Sequence, residues 1–430
     1  MKEFFLWFIL TFSFITVLKG QTSFQEIYEN PEKSGGVQYV YPERHVGPAA
    51  PYPEGFYPFY ISHFGRHGSR YLVEDDEYKQ ILDIFKVADQ SNNLTSTGKD
   101  VYERLKVIWE ESAGKGGELT PLGIAQQKAI ATRMFTRYTQ VFGDGNKITG
   151  VSTTVPRCIH SMEYYCGKLA ELNPRLNISL DAEPEHMEYL NFHTDEAIRF
   201  RSGPGWKIRY NEFQKKNIHP ERLMAALFTN TVALPENENP VTFMLQLFNI
   251  ASNLQNMETD ITLYDLFEKK ELFSLWQCRN YRLYVQYANA AENGGIMMEN
   301  AKPLLKNIVE TANLYIESNL SGATLRFGHD GNIVPLSMLL HLENCYNSVS
   351  EPEDFYKAWS DFTVAPMGAN IQMVFFKKKG SKDILVKFLQ NEVEVKVPPI
   401  KSYAFPYYLW SDVMEYYLKL LNVSLKKKKE

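Results

Sequence analysis

Tyr57-Pro58-Phe59-Tyr60-Ile61-Ser62-His63-Phe64-Gly65-Arg66-His67-Gly68-Ser69-Arg70 is the stretch on which the reading of this chain turns. Its first eight residues are short, aromatic and β-branched, the signature of a buried strand, and Gly65 ends the run. A helical stretch follows Arg70. Further along, Thr120 is an N-cap residue and Pro121 suits the first position of a helix that runs amphipathically through Ile124, Ala125, Ala129 and Met134. Residues 148–153 read as a strand and 157–169 as the helix after it. Strand, loop and helix in repetition predict an α/β fold, a mostly parallel sheet flanked by helices.

The middle of the chain changes character. Residues 185–318 read as mostly helical, with helices opening at Asn239-Pro240 and spanning roughly residues 300–317. We read this block as a helical cap subdomain inserted into the α/β core, which comprises residues 21–184 and 319–425. Residues 21–50 form an irregular lead-in. Ala323 to Phe327 returns to strand, with a helix from Ile333. Residues 371–377 and 384–389 form a hairpin turning at Gly380 to Asp383.

The chain has 430 residues, 44% hydrophobic and 23% charged, so it is globular and long enough for more than one core. Its formal net charge of −5 argues against a nucleic-acid binder, which needs a basic face. A local basic pocket for a small phosphorylated substrate is compatible with that balance. Residues 1–20 carry Lys2 and then an apolar run from Phe4 to Leu18, read as a signal peptide. Periplasmic or secreted localisation follows, with no other stretch apolar enough to span a bilayer. Residues 426–430 are a basic tail. Cys158, Cys166, Cys278 and Cys345 could form disulfides in an exported chain or stay as buried thiols; the sequence leaves both open.

Three loops carry the chemistry, each between a predicted strand and a predicted helix, where open α/β sheets bind ligands. In the first, Arg66 and Arg70 flank His67. Guanidinium groups fork onto phosphate oxygens, and two cations depress the pKa of the imidazole between them. A neutral imidazole is a nucleophile. In the second, Asp330 can protonate a leaving alkoxide and His329 can donate to a phosphate oxygen. In the third, Arg157 adds a phosphate contact. Read alone, the first loop fits a surface turn with two solvated arginines equally well, the second fits a helix-capping Asp beside a structural His better, and Arg157 fits a salt-bridging residue; their conjunction predicts a phosphate site.

With these residues in place, the sequence resembles the histidine phosphatase superfamily, in its acid-phosphatase and phytase branch. Arg66-His67-Gly68-Ser69-Arg70 matches that family's early Arg-His-Gly-x-Arg motif, and His329-Asp330 its late His-Asp pair. Leu119-Thr120-Pro121-Leu122-Gly123 matches its Leu-Thr-x-x-Gly run. Arg157 with Ser161, and the strand Ala369-Asn370-Ile371-Gln372, match as well. The resemblance covers roughly residues 56–400. It implies a phosphohistidine on His67, a phosphate held by Arg66, Arg70, Arg157 and His329, Asp330 as proton donor, and no metal or organic cofactor. Two departures stand out. Leu72 replaces a frequent proline. Arg70-Tyr71 is similar to the multiple inositol polyphosphate phosphatases, but those usually carry His-Ala-Glu where this chain has His329-Asp330-Gly331. Inositol phosphates and sugar phosphates are both candidate substrates. Metal-dependent hydrolysis and a non-catalytic phosphate-ligand binder are the competing readings.

Overall fold

The computed structural model describes residues 23–44, 51–230 and 239–423. The expected signal peptide and basic tail lie outside them. Among the described residues, eight strands form one sheet: β1 Phe56–Arg66, β2 Lys147–Ser152, β3 Asn177–Asp181, β4 Gly322–Gly328, β5 Asn370–Lys378, β6 Ile384–Gln390, β7 Val393–Val395 and β8 Tyr408–Leu409. The order is β3-β2-β4-β1-β5-β6-β7, with β8 beside β6. Strands β3, β2, β4 and β1 run parallel. β5 pairs antiparallel with β1, and the expected β5–β6 hairpin continues that antiparallel half. The architecture is therefore α/β with flanking helices, as read from the sequence. The sheet is mixed rather than mostly parallel, because the terminal hairpin docks on the edge of β1.

β1 is buried along nine of its eleven residues, which explains its near-continuous apolar run. Alternation sorts its side chains onto two cores. Ile61 packs with Ile130, Met134 and Tyr165 beneath the sheet, under the helices Pro121–Arg137 and Pro156–Leu172. Tyr60 and Phe64 face the larger helical side. Each fully buried side chain of this size contributes about 2 kcal/mol of transfer free energy.

Between β3 and β4 the described regular elements are all helices joined by loops, the longest being Lys269–Tyr287. Helices from before β2 join this layer: Phe85, on Asp76–Gln90, packs its ring against Phe228 and Phe243. The helix Lys302–Glu317 lies on the sheet itself, with the Tyr315 ring stacked 4.2 Å from that of Tyr60.

Three local expectations need correction. The first strand does not end at Gly65. It continues to Arg66, whose N–H donates to Ala369 O at 2.7 Å. The helix expected from Ile333 starts at Asp330, because the His329 carbonyl already accepts from the N–H groups of Asn332 and Ile333. The lead-in is not irregular where it is described. It forms a helix at Ser23–Glu29 and a 3-10 turn at Pro31–Gln38.

Candidate active site

The parallel register decides where the site lies. Arg66 pairs with Gly328, and Ser152 with Phe327, so β1, β2 and β4 end side by side. The loops after them carry His67, Thr153 and His329. The His67 N–H donates to Gly328 O at 3.1 Å and the Thr153 N–H to Phe327 O at 3.1 Å, which binds the three loops to one another. All the strand-end residues singled out from the sequence meet here. The rings of His67 and His329 are 5.7 Å apart, and Arg66 Nη2 stands 3.3 Å from Asp330 Oδ2.

His67 is buried, and its Nδ1 lies 2.9 Å from the carbonyl oxygen of Gly68. A carbonyl only accepts, so Nδ1 carries the proton and Nε2 keeps its lone pair. Burial first, then the charges of Arg66, Arg70, His329 and Arg157, hold the pKa of His67 well below 6.5. The imidazole is therefore neutral through the mildly acid range. His329 is lowered to about 4, by burial and then by Arg157. Thr153 Oγ1 sits 3.4 Å from its Nε2, and the buried Cys158 thiol packs 3.6 Å from the same atom. Burial pushes that thiol up to about 12, so it is no nucleophile.

The guanidinium groups differ in how they are held. Arg66 is fixed from behind by the carbonyls of Val37 and Ala365. Arg70 donates to the Tyr71 carbonyl at 2.7 Å and is lowered to about 10, by burial and then by Arg66 and Arg157. The Arg157 side chain has no hydrogen-bond or ion-pair partner among the described residues. The Nε–H groups of Arg66, Arg70 and Arg157 are all buried without an acceptor. Three under-satisfied cations, with Asp330 ion-paired to Arg66 and the charges of Asp361 and Glu77 also acting on them, make a local well for an oxyanion, inside a chain of net negative charge.

Asp330 opens the helix Asp330–Leu339 and accepts from the Gly331 N–H at 2.9 Å. Burial pushes its carboxyl upward, but Arg66, His329 and Arg70 together outweigh that and hold it below the usual carboxylate range. The free site thus holds an ionised Asp330 on Arg66.

Neutral side chains brace the first loop; Ser69 and Ser161 lie in motifs matched in the sequence, whereas Gln126, Gln127 and Asn256 do not. Gln127 Nε2 donates to Arg66 O at 3.1 Å, and Gln126 Oε1 accepts from the Ser69 N–H at 2.9 Å. Ser69 Oγ donates to Asn256 Oδ1 at 2.7 Å, and Asn256 in turn donates to Gln38 O. Ser161 Oγ accepts from the Gly68 N–H at 3.2 Å. The two glutamines lie one turn into the helix opened by Thr120-Pro121, and only that position could have hinted at them. The departure at Leu72 also finds its reason: its N–H donates to the Tyr78 hydroxyl at 2.9 Å, a bond proline cannot make. All four cysteines are free and buried. No described helix is long and apolar enough to cross a membrane. One cavity, of about 610 Å3, reaches Asp330. A larger one, of about 1360 Å3, is lined by residues from Asn211 to Asn230 and from Asn239 to Thr242, none of them a strand-end residue.

Solved structures share this arrangement of sheet and helices. The multiple inositol polyphosphate phosphatase of Bifidobacterium longum, in complex with inositol hexasulfate, is similar at a TM-score of 0.73 and 16% identity, over 88% of this chain and 96% of that one. The phytase from D. castellii is similar at 0.68 and 14% identity, over 91% and 85%. The Hafnia alvei phytase is similar at 0.51 and 13% identity, over 87% and 98%. These identities speak for the fold. Comparison with curated protein sequences gives no match. The family profile described as histidine phosphatase superfamily (branch 2) matches residues 64–391, a span from the end of β1 to the turn after β6 that takes in every loop of the site. On that match the chain belongs to the histidine phosphatase superfamily, branch 2.

Proposed function

We propose that the protein is a phosphomonoesterase working through a covalent phosphohistidine on His67. The observation that carries this reading is the fixed tautomer: Nδ1 is committed to the Gly68 carbonyl, which leaves Nε2 as a lone pair among three arginines. Arg66, Arg70, Arg157 and His329 hold the phosphate. His67 Nε2 attacks phosphorus, the bond from phosphorus to the ester oxygen breaks, and Asp330 gives that oxygen its proton. The Asp330 carboxylate then takes a proton from water as the water oxygen attacks phosphorus. The P–N bond breaks, and inorganic phosphate and neutral His67 are restored. The positive field of the arginines favours the charge that builds on the phosphoryl oxygens during transfer.

The substrates proposed are phosphate monoesters of polyols. The structural neighbours, among them an inositol polyphosphate phosphatase and phytases, support inositol phosphates within that class. The amide-lined cavity at Asp330 suits sugar phosphates equally. The apolar run Phe4 to Leu18 supports export to the periplasm or beyond.

The test is hydrolysis of p-nitrophenyl phosphate. His67→Ala should lower turnover at least about a thousandfold. Acid quenching is avoided in a second experiment, because a phosphohistidine is acid-labile: a rapid alkaline quench of wild type with labelled substrate should trap a base-stable phosphoenzyme. Retained turnover in His67→Ala sinks the mechanism.

A further inference from the structure

The cavity that opens from Asp330 receives whatever the phosphate is attached to, so its lining reads out the leaving group. Its cations are Arg279 and Arg282, on one face of the helix Lys269–Tyr287. Arg279 is already engaged. It donates to Ser252 Oγ at 3.1 Å and to Asn249 Oδ1 at 2.6 Å, and lies 4.5 Å over the Phe248 ring. Arg282 stands exposed at the rim, with Gln286 at 3.5 Å. Arg201 adds a charge behind Tyr287, its guanidinium 4.9 Å over that ring.

Against these stand carboxylates. Glu77 and Asp361 line the same cavity as Asp330. Glu77 accepts from Asn249 Nδ2 at 2.8 Å, so Asn249 links it to Arg279 and, through its Oδ1, to Gln38. On the other side of the phosphate site, Glu111, Glu118 and Glu258 gather around Tyr71, whose hydroxyl they and burial push up to about 12. Lys115, 5.2 Å over the Tyr71 ring, is the cation among them. Unpartnered positive charge is thus concentrated in the bowl around His67, and in the cavity beyond it amides and carboxylates outnumber Arg279, which is engaged, and Arg282, which stands at the rim.

We infer that this pocket selects a substrate bearing a single phosphate on an otherwise hydroxylated ring over the same ring carrying many phosphates. The inference rests on the phosphatase reading and narrows its substrate class. Ring hydroxyls donate to Glu77 and pair with the amides. Each further phosphate instead brings about −1.5 to −2 charges toward Glu77. The guanidinium groups that could answer it are engaged with neutral partners or at the solvent edge, where salt screens them.

The test compares kcat/KM for myo-inositol 1-phosphate and myo-inositol hexakisphosphate, which share the ring and differ in phosphate number. At low salt the wild type should favour the monophosphate by about tenfold or more, and added salt should narrow the gap. Glu77→Gln should narrow it several-fold. Arg282→Glu, at an exposed position, should widen it. Preference for the hexakisphosphate, or a gap that neither variant moves, overturns the inference. Failure to hydrolyse p-nitrophenyl phosphate at all overturns the phosphatase reading and this inference with it. Hydrolysis with the wrong preference faults the pocket alone.

Discussion

Gly68 and Gly123 leave no room for a methyl group between them. A Cβ on Gly68 would lie 2.4 Å from Gly123 O, and a Cβ on Gly123 would lie 2.1 Å from Ser69 O. The helix Pro121–Arg137 is therefore pressed against the backbone of the loop after β1. That closeness lets Gln126 and Gln127 reach Ser69 and Arg66.

Gly123→Ala should consequently lower stability by about 1–3 kcal/mol through overpacking and should also lower kcat, since the loop carrying His67 has to shift. Gly167→Ala is the matched control. Its Cβ would meet nothing within 4 Å, and it lies inside the helix Pro156–Leu172, where alanine is worth up to about 1 kcal/mol over glycine. Thermal melts and steady-state kinetics on both variants separate the effects. An unchanged Gly123→Ala melt would show that the two backbones can part.

Arg157 offers the opposite combination. Its side chain has no hydrogen-bond or ion-pair partner among the described residues and stands close enough to Arg66 and Arg70 to lower the pKa of each. Arg157→Ala should leave the melting temperature unchanged or slightly raised, as repulsion is removed. The inhibition constant for inorganic phosphate should rise about tenfold or more with the loss of a charged contact. A fall in stability with unchanged phosphate inhibition would make Arg157 structural.

The Arg66–Asp330 pair sets the pH behaviour. With its carboxyl held below the usual range, Asp330 is protonated in the free enzyme only toward strongly acid pH. kcat/KM, which follows the free enzyme, should therefore fall as pH rises from a lower value than kcat does, because bound phosphate draws Arg66 away from Asp330. Asp330→Asn should cost about a hundredfold or more on an alkyl phosphate, but less on p-nitrophenyl phosphate, whose leaving group departs without a proton. Equal losses on both substrates would mean that Asp330 does not protonate the leaving oxygen.

His63, like the buried His67 and His329, should lower stability in acid. It is fully buried against Tyr165 and Phe327, and burial, with Arg326 adding to it, lowers its pKa from 6.5 to about 3. Between those values the unfolded chain binds a proton that the folded chain refuses, so stability falls as pH drops below 6.5. Asp361 works the other way. Burial raises it from 3.8 to about 6, so its contribution grows as pH falls through that window. His63→Leu should flatten the loss of melting temperature between pH 6 and pH 4, and Asp361→Asn should steepen it. Melts across that range decide both, and a parallel shift at every pH would refute the titration argument.

Much of the site was legible because its chemistry sits next to secondary-structure signals. Arg66, His67 and Arg70 follow an apolar strand, and His329 and Asp330 follow another, so strand-to-helix loops could be recognised one at a time. Gly123 was legible as part of a motif, though its steric reason was not. The braces were not legible. Val37 and Ala365 hold Arg66 through backbone carbonyls, and every residue has one. Gln126, Gln127 and Asn256 are ordinary polar residues until the helices bearing them are packed.

The sequence by itself determined the strand-to-helix loops, the residue types in them and the family to which they point, because periodicity and local turn chemistry are short-range properties. Only the tertiary structure decided that β1, β2 and β4 end in register and that the Gly68 carbonyl takes Nδ1 of His67. It alone brought Glu77 and Asp361 into the cavity at Asp330. Apart from the contact between the neighbours His67 and Gly68, those are relations across tens to hundreds of residues, set by which faces bury together, and they turn separate loops into one candidate site with a shaped and charged surround.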